Sequence, residues 1–531
     1  MKKLFYNGDI ITMEHDSNQT AGVLVEDGLI KNVLREEETT SYLKGSDVEK
    51  VDLQGKTLLP AFIDPHSHLS MMGPMSLLAD LKGCGNFEDI QNMLKEYIKV
   101  NEIEKGELVV GFGYDHNFLV EEAHPLKDVL NTVSTEHPIL LVHASGHIGS
   151  ANDAALEMAG IDEQTPDPEG GIIGRVEGTN EPNGYLEETP IMALQKKMFQ
   201  NNKMNPMEVL ALGEEVYIKN GITTVQDGAT SEATVKLFNS YSDKFKVDVV
   251  MYPLVAENPE SLEKNRDMVG RYKSRIKIGG YKMFLDGSPQ GKTAWMTEPY
   301  EGEESYRGYP RYQDEEVKQY IETAIKADVQ LLTHCNGDAA SDQLLENYIT
   351  ALEESDNPNK NNLRPVMIHC QTVRNDQLDK MKDIEMIPSL FISHAYYWGD
   401  VHLKNFGETR GNRISPAKSA FDRGLVVNFH QDSPIVPPDM LHTVWCAVNR
   451  ITRKGVIIGP EERVSVYDAL KAVTINAAYA YFEEDRKGSI APGKIADLVV
   501  LDSNPLKVDK RKIKNIKVLE TIKEGETIYR A

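Results

Sequence analysis

Six side chains suited to one metal-dependent centre occur in the order His66, His68, Lys282, His334, His369, Asp432, each in or at the end of a short apolar, β-branched run. Histidine and aspartate at strand ends are the ligands of metal-assisted hydrolysis, in which a cation activates water and polarises a carbonyl. The first pair is the sharpest signal. Leu58 to Asp64 reads as one buried strand running straight into Pro65-His66-Ser67-His68. Alternate residues of an extended chain share a face, so both imidazoles can meet one ion. A lone His-x-His pair is equally two hydrogen-bonding histidines, and the series that follows favours the metal.

Eight β-rich runs must position these residues: Leu58–Asp64, Ile222–Asp227, Val247–Val255, Ile276–Asp286, Val329–His334, Pro365–His369, Ile387–Ser393 and Leu425–Asp432. Most are followed by helix-like segments, which predicts right-handed β-α units closing into an α/β, (β/α)8 TIM-like barrel over residues 56–485. His66 and His68 follow run one, His334, His369 and Asp432 end runs five, six and eight, and Lys282 lies within run four; barrel chemistry sits at that end of the strands. Residues 1–55 and 486–531 alternate short strands with Asn-Gly, Asp-Gly and Glu-Gly turns. Neither end has enough strands for a stable sheet, so the two are expected to pair into one small β-sandwich. The gap at 70–205 is far longer than ordinary connections and predicts an inserted subdomain placed to roof the site. It carries His143 and His147; His147 is either a substrate contact or a hydrogen-bonding histidine. No repeat or low-complexity tract is evident.

The chain has 531 residues, 58 basic and 82 acidic, with a net charge of −24. That field repels nucleic acid and anionic membranes, leaving a small-molecule substrate as the expected partner. At 40% hydrophobic residues there is ample material for a large core. Cys84, Cys335, Cys370 and Cys446 lack paired metal-finger spacing and fit a reduced, cytoplasmic setting. Gly8 and Asp9 interrupt the N-terminus before an apolar core of signal-peptide length, and no stretch approaches the roughly 20 apolar residues of a membrane span.

Residues 59–69, Leu-Pro-Ala-Phe-Ile-Asp-Pro-His-Ser-His-Leu, resemble the first-strand signature of the amidohydrolase superfamily. Residues 281–294, Tyr-Lys-Met-Phe-Leu-Asp-Gly-Ser-Pro-Gln-Gly-Lys-Thr-Ala, are similar to the fourth-strand motif of its YtcJ-like branch, which includes N-substituted formamide deformylases. Thr333–Ala340, Ile368–Gln371, Asp432–Pro434 and Gly488–Leu498 agree, so the resemblance covers nearly the whole chain. It implies His66 and His68 on one zinc, His334 and His369 on a second, Lys282 bridging the two as an N-carboxylated lysine, and Asp432 as ligand and proton acceptor. Two zincs per chain follow, with iron or manganese compatible with the same ligands. A lysine paired with Asp286 is the other reading of Lys282.

The implied reaction is hydrolysis of a non-peptide C–N bond, amide or N-formyl, by zinc-activated hydroxide with Asp432 as general base and then acid. Asp338 is either a carboxylate orienting an imidazole or an ordinary first-turn aspartate. His430, where the family often has a smaller residue, and His394, followed by Ala395-Tyr396-Tyr397-Trp398, are expected to touch substrate. The alternative is a mononuclear zinc deaminase of a cyclic amidine; Lys282, and Cys-Asn-Gly-Asp rather than an early glutamate after His334, disfavour it. A non-catalytic scaffold is disfavoured because all six ligand types are present. A homodimer is the default assembly for such enzymes.

Overall fold

The computed structural model describes residues 2–14, 20–144, 148–168, 171–191, 194 and 205–531. They form two compact units, Met1–Met72 with Leu210–Ala531, and Gly73–Val209.

Eight strand positions of the larger unit follow one another as parallel neighbours: β1 (Phe62–Ile63), β2 (Ile222–Thr230), β3 (Asp248–Pro253), β4 (Ile276–Ile278 continuing as Gly280–Phe284), β5 (Gln330–Cys335), β6 (Val366–His369), β7 (Ile387–Leu390) and β8 (Asn428–Phe429). The two pieces of β4 belong to different ladders, and the Val255 N–H donates to the Lys282 carbonyl (3.0 Å) across the join. The segments beyond β8 and β1 meet where the Asp432 N–H donates to the His66 carbonyl (3.2 Å) and the His68 N–H to the Ser433 carbonyl (2.8 Å). Ile63, Val250, Leu332, Ile368 and Ile387 share one core cluster with Ala477, Ala478 and Tyr481, so strands from all round the series face a common interior. This is an α/β barrel architecture, with the helices Glu232–Tyr241, Asp314–Lys326, Asp338–Glu354 and Asn375–Asp383 interleaved.

The sandwich is built from both chain ends. One sheet holds Lys2–Tyr6, Gly22–Glu26, Leu29–Leu34 and Glu49–Asp52; the other holds Asp9–Ile10, Thr57–Pro60, Leu498–Leu501, Val518–Lys523 and Glu526–Arg530. Phe5, Val23 and Ile30 of the first pack on Leu58, Leu498, Val500 and Ile522 of the second. Here the structure departs from the one-strand reading of Leu58–Asp64. Leu58 and Leu59 pair with Val500 and Val499, and only Phe62 and Ile63 enter the barrel. Both stretches are fully buried, so an unbroken apolar run gave no sign of the change of sheet.

A buried ionic network joins barrel to sandwich. Asp248 on β3 accepts from Lys487 and Lys523, each at 2.6 Å; Lys523 also reaches Asp497 (2.7 Å), and Lys277 pairs with Glu483. Burial favours the neutral acid of Asp248, but the two ammonium groups outweigh it and hold the carboxyl well below its usual range. Lys487 also pairs with Glu483 (2.6 Å), so its loss leaves two buried carboxylates with one cation fewer, and Lys487→Met should cost about 3 kcal/mol, the low end for breaking a buried pair. A urea titration followed by tryptophan fluorescence checks this, and an unshifted midpoint would show that the network is not structural.

The smaller unit carries a six-stranded sheet in the spatial order Gly171–Arg175, Pro182–Glu188, Ile148–Ala151, Ile139–His143, Val109–Tyr114, Ala79–Asp80. Leu81, Ile90, Leu94 and Leu141 form one of its cores and Val110, Leu140, Val142 and Leu186 another, as alternating side chains on opposite sheet faces require. Among the described residues no helix is long and apolar enough to cross a membrane.

Candidate metal centre

His66 and His68 sit on the segment leaving β1, and each Nε2 faces Oδ1 of Asp432, at 3.3 and 3.1 Å. On the neighbouring strands β5 and β6, Nδ1 of His334 lies 3.0 Å from Nε2 of His369. The His66 and His369 rings are 5.6 Å apart, which joins the two sets into one cluster. Ligands about 2.0–2.1 Å from a tetrahedral ion stand roughly 3.3 Å from one another, so these spacings match a coordination shell.

Hydrogen bonds behind the rings fix which nitrogen faces inward. A carbonyl only accepts, so His68 donates its Nδ1–H to the Gly228 carbonyl (2.6 Å), leaving the Nε2 lone pair pointing at the centre. Gln226 donates to the Pro65 carbonyl (2.6 Å) and the Tyr481 hydroxyl (3.1 Å), which turns its own carbonyl oxygen to accept from His66 Nδ1–H at 2.6 Å. His334 directs Nε2 to the Gly287 carbonyl at 3.3 Å, and its Nδ1 faces His369. Behind His369 stands His430, with Nε2 at 3.1 Å from His369 Nδ1 and Nδ1 at 2.9 Å from the Ser389 hydroxyl. With the His369 Nε2 lone pair aimed inward, the protons run from His369 to His430 to Ser389. A Cβ on Gly228 would stand 2.8 Å from His66 Cε1, so the close passage of β2 behind His66 requires glycine there.

Burial, reinforced by Lys282, lowers the pKa of His66 to about 4 and of His334 to about 3, and burial with His334 takes His369 well down. These are neutral imidazoles, the form that binds metal. For His68, burial works downward but Asp432 more than offsets it, and its pKa rises. Lys282 is fully buried, its Nζ has no hydrogen-bond partner among the described residues, and burial pulls its pKa down to about 7. His369 (φ 78°) and Asp432 (φ 56°) hold left-handed backbone conformations, uncommon for residues with side chains and characteristic of strained functional positions.

The structure thus brings His66, His68, His334, His369 and Asp432 together, with Lys282 beside them. Asp286 accepts from the backbone N–H groups of Asn336 (3.0 Å), Gly337 (2.7 Å) and Trp295 (3.0 Å), so its oxygens fasten the loops after β4 and β5 and do not pair with Lys282. Asp338 opens its helix and accepts from the Thr297 N–H (2.8 Å) and hydroxyl, so it holds a loop and does not orient an imidazole. His430 is fully buried with both nitrogens engaged, while His394 is buried against Phe391 and Trp398 with Nδ1 3.0 Å from His402 Nε2. His147 lies outside the described residues. Gln226, Gly228 and Ser389 went unnoticed in the sequence, where only the polar Gln-Asp ending of an apolar strand hinted at the first of them.

Four inward imidazole nitrogens, an ionised carboxylate and an orphaned buried amine fit divalent cations of the zinc type. The partners behind the rings keep ligand lone pairs aimed, and losing one typically costs about 10–100-fold in metal affinity or activity. Gln226→Leu should therefore weaken metal binding by about that factor, read in metal-buffered titrations, with no change in the far-ultraviolet spectrum of the metal-free chain.

The amidohydrolase family model matches residues 49–529. The chain is 26% identical over 544 residues to the protein YtcJ of Bacillus subtilis, covering 100% of this chain and 99% of the relative. It is also 26% identical over 541 residues to the N-substituted formamide deformylase of Arthrobacter pascens, covering 99% and 98%. An uncharacterized metal-dependent hydrolase from Pyrococcus horikoshii shares the fold, with a TM-score of 0.72 at 24% identity over 96% of this chain and 99% of that one. The chain belongs to the amidohydrolase family and is a hydrolase acting on carbon–nitrogen bonds.

Proposed function

We propose that the chain cleaves the C–N bond of an amide or N-formyl compound, with two zinc ions held by His66, His68, His334, His369, Asp432 and a carboxylated Lys282. The observation that carries this reading is the Lys282 Nζ, fully buried and without a hydrogen-bond partner among the described residues, beside an ionised carboxylate and the neutral imidazoles of His66, His334 and His369. His66, His68 and Asp432 already supply three ligand atoms within 4.8 Å of one another. His334 and His369 supply only two, and a carbamate on Lys282 completes their set. A bare ammonium there would repel a cation; a carbamate adds two anionic oxygens.

When bound, zinc brings the pKa of water to about 7 and polarises a carbonyl oxygen. Asp432 then takes the proton from the attacking water and returns it to the departing nitrogen. Gln226, Gly228 and His430 hold the imidazoles in the tautomers that keep their lone pairs inward. The relative from Arthrobacter pascens, aligned over almost its full length, directs attention to N-formyl substrates first.

The test is a screen of N-formyl, N-acyl and cyclic-imide compounds with the zinc-loaded chain, alongside its metal count by mass spectrometry. Turnover of an amide or N-formyl compound with about two zincs at the cluster of His66, His68, His334, His369 and Asp432, beyond any ion bound elsewhere on the chain, is expected. One zinc with ammonia released only from cyclic amidines would replace this reading with deamination.

A further inference from the structure

The unit Gly73–Val209 holds a second cluster of metal-binding side chains that the hydrolytic reading does not use. Parallel strands Val109–Tyr114 and Ile139–His143 pair side by side with His143 opposite Tyr114, so their C-terminal ends lie together. Asp115 and His116 follow the first strand, His116 opening a short 3-10 turn that Asp115 caps; His143 ends the second strand. His143 Nε2 stands 3.4 Å from Asp115 Oδ1 and 3.4 Å from His116 Nδ1, and His116 Nδ1 is 3.9 Å from Asp115 Oδ1.

We propose that Asp115, His116 and His143 form a separate binding site for one zinc-type divalent ion. Three donor atoms at the corners of a triangle with these edges approach the roughly 3.3 Å separations of a tetrahedral shell. The spacings resemble the 3.1–3.3 Å of the His66, His68 and Asp432 set. Two imidazole nitrogens pointed at each other need a proton or a cation between them, and the carboxylate alongside favours the cation. Two imidazoles with one carboxylate select zinc-like ions over calcium or magnesium, whose ligands are oxygens. Asp115 Oδ1 also accepts from the Asn117 N–H and side-chain amide, each at 2.9 Å, which fixes its rotamer. The His124 ring lies 4.2 Å from that of His116, with its Nδ1 3.0 Å from the Tyr114 hydroxyl, and walls one side. His143 is mostly buried, whereas Asp115 and His116 are partly exposed, so an ion can enter. Three protein ligands leave one position for water or for a donor atom of a small molecule.

The full-length protein is equilibrated with zinc and its crystals measured at the zinc absorption edge. An anomalous peak between Asp115, His116 and His143, in addition to density at the catalytic histidines, is the expected result. No peak there while the catalytic histidines carry theirs overturns the site and leaves a hydrogen-bonded histidine cluster only. In solution, His116→Ala should bind about one zinc per chain fewer than wild type. His116→Cys should keep the ion and, loaded with cobalt, show a thiolate-to-cobalt charge-transfer band that wild type lacks. A folded His116→Cys without that band, or His116→Ala with an unchanged zinc count, overturns the proposal. Neither readout depends on turnover, so failure here is distinct from failure of the catalytic assignment.

Discussion

Asp432→Asn is expected to keep most of its metal and to lose about two or more orders of magnitude in turnover on an amide or N-formyl substrate, the scale of general acid–base catalysis. Asp432 follows β8, its backbone N–H held by the His66 carbonyl at 3.2 Å, and its Oδ1 faces Nε2 of both His66 and His68. Burial alone would raise its pKa; the close imidazoles of His66 and His68 outweigh that and hold the carboxyl well below its usual range. It is therefore an ionised carboxylate, and under the proposed mechanism it would be the acceptor beside the attacking water. Asparagine keeps the shape and one oxygen ligand, so binding should persist, yet its amide takes no proton. Zinc content by mass spectrometry and kcat on the same preparation separate the two functions. A variant with wild-type turnover would move the base, or the active centre, elsewhere.

The clustering of His66, His68, His334, His369 and Asp432 was legible because metal chemistry restricts residue type and barrel geometry restricts position. Buried parallel strands are continuous apolar runs, and a histidine or aspartate terminating such a run stands out against it. What escaped notice acts through geometry that a linear string does not carry. Gln226 orients His66 across 160 positions of chain, and the Gly228 carbonyl that fixes His68 belongs to no side chain at all. Continuous burial also hid the passage of the first run from sandwich to barrel at Ala61, since neither sheet leaves a polar face to mark the change. Asp338 shows the converse, that nearness in sequence does not bring a carboxylate to an imidazole. An aspartate three residues after His334's neighbour Cys335 is close in sequence, but the helix it opens turns its carboxylate to Thr297 and Arg374. In the inserted unit, His143 was visible in the string, whereas its pairing with Asp115 and His116 depends on the register of two parallel strands.

Lys282→Ala should lose metal from the His334 and His369 pair and lower turnover by more than the roughly 10–100-fold that follows loss of an outer hydrogen-bond partner. The lysine lies on β4, next to β5, its side chain enclosed beside Asp432 and the His66 and His334 rings, whose pKa values it depresses. A buried amine with no acceptor is costly as an ammonium, and its pKa of about 7 leaves much of it neutral at physiological pH. Neutral amine attacks the carbon of carbon dioxide, forms an N–C bond and releases a proton, and the product is a carbamate anion. On Lys282 that conversion would replace a repelled cation with two oxygen donors, so metal and carbamate would stabilise one another. Short carboxylates such as propionate should therefore restore part of the metal content and activity to Lys282→Ala, since they refill the space with the missing oxygens. The wild-type chain stripped of metal in carbon dioxide-free buffer should likewise reload poorly until bicarbonate is added. Full metal loading and activity in Lys282→Ala without any added carboxylate would show that the lysine is not a ligand, and the second pair of histidines would then need another anionic partner.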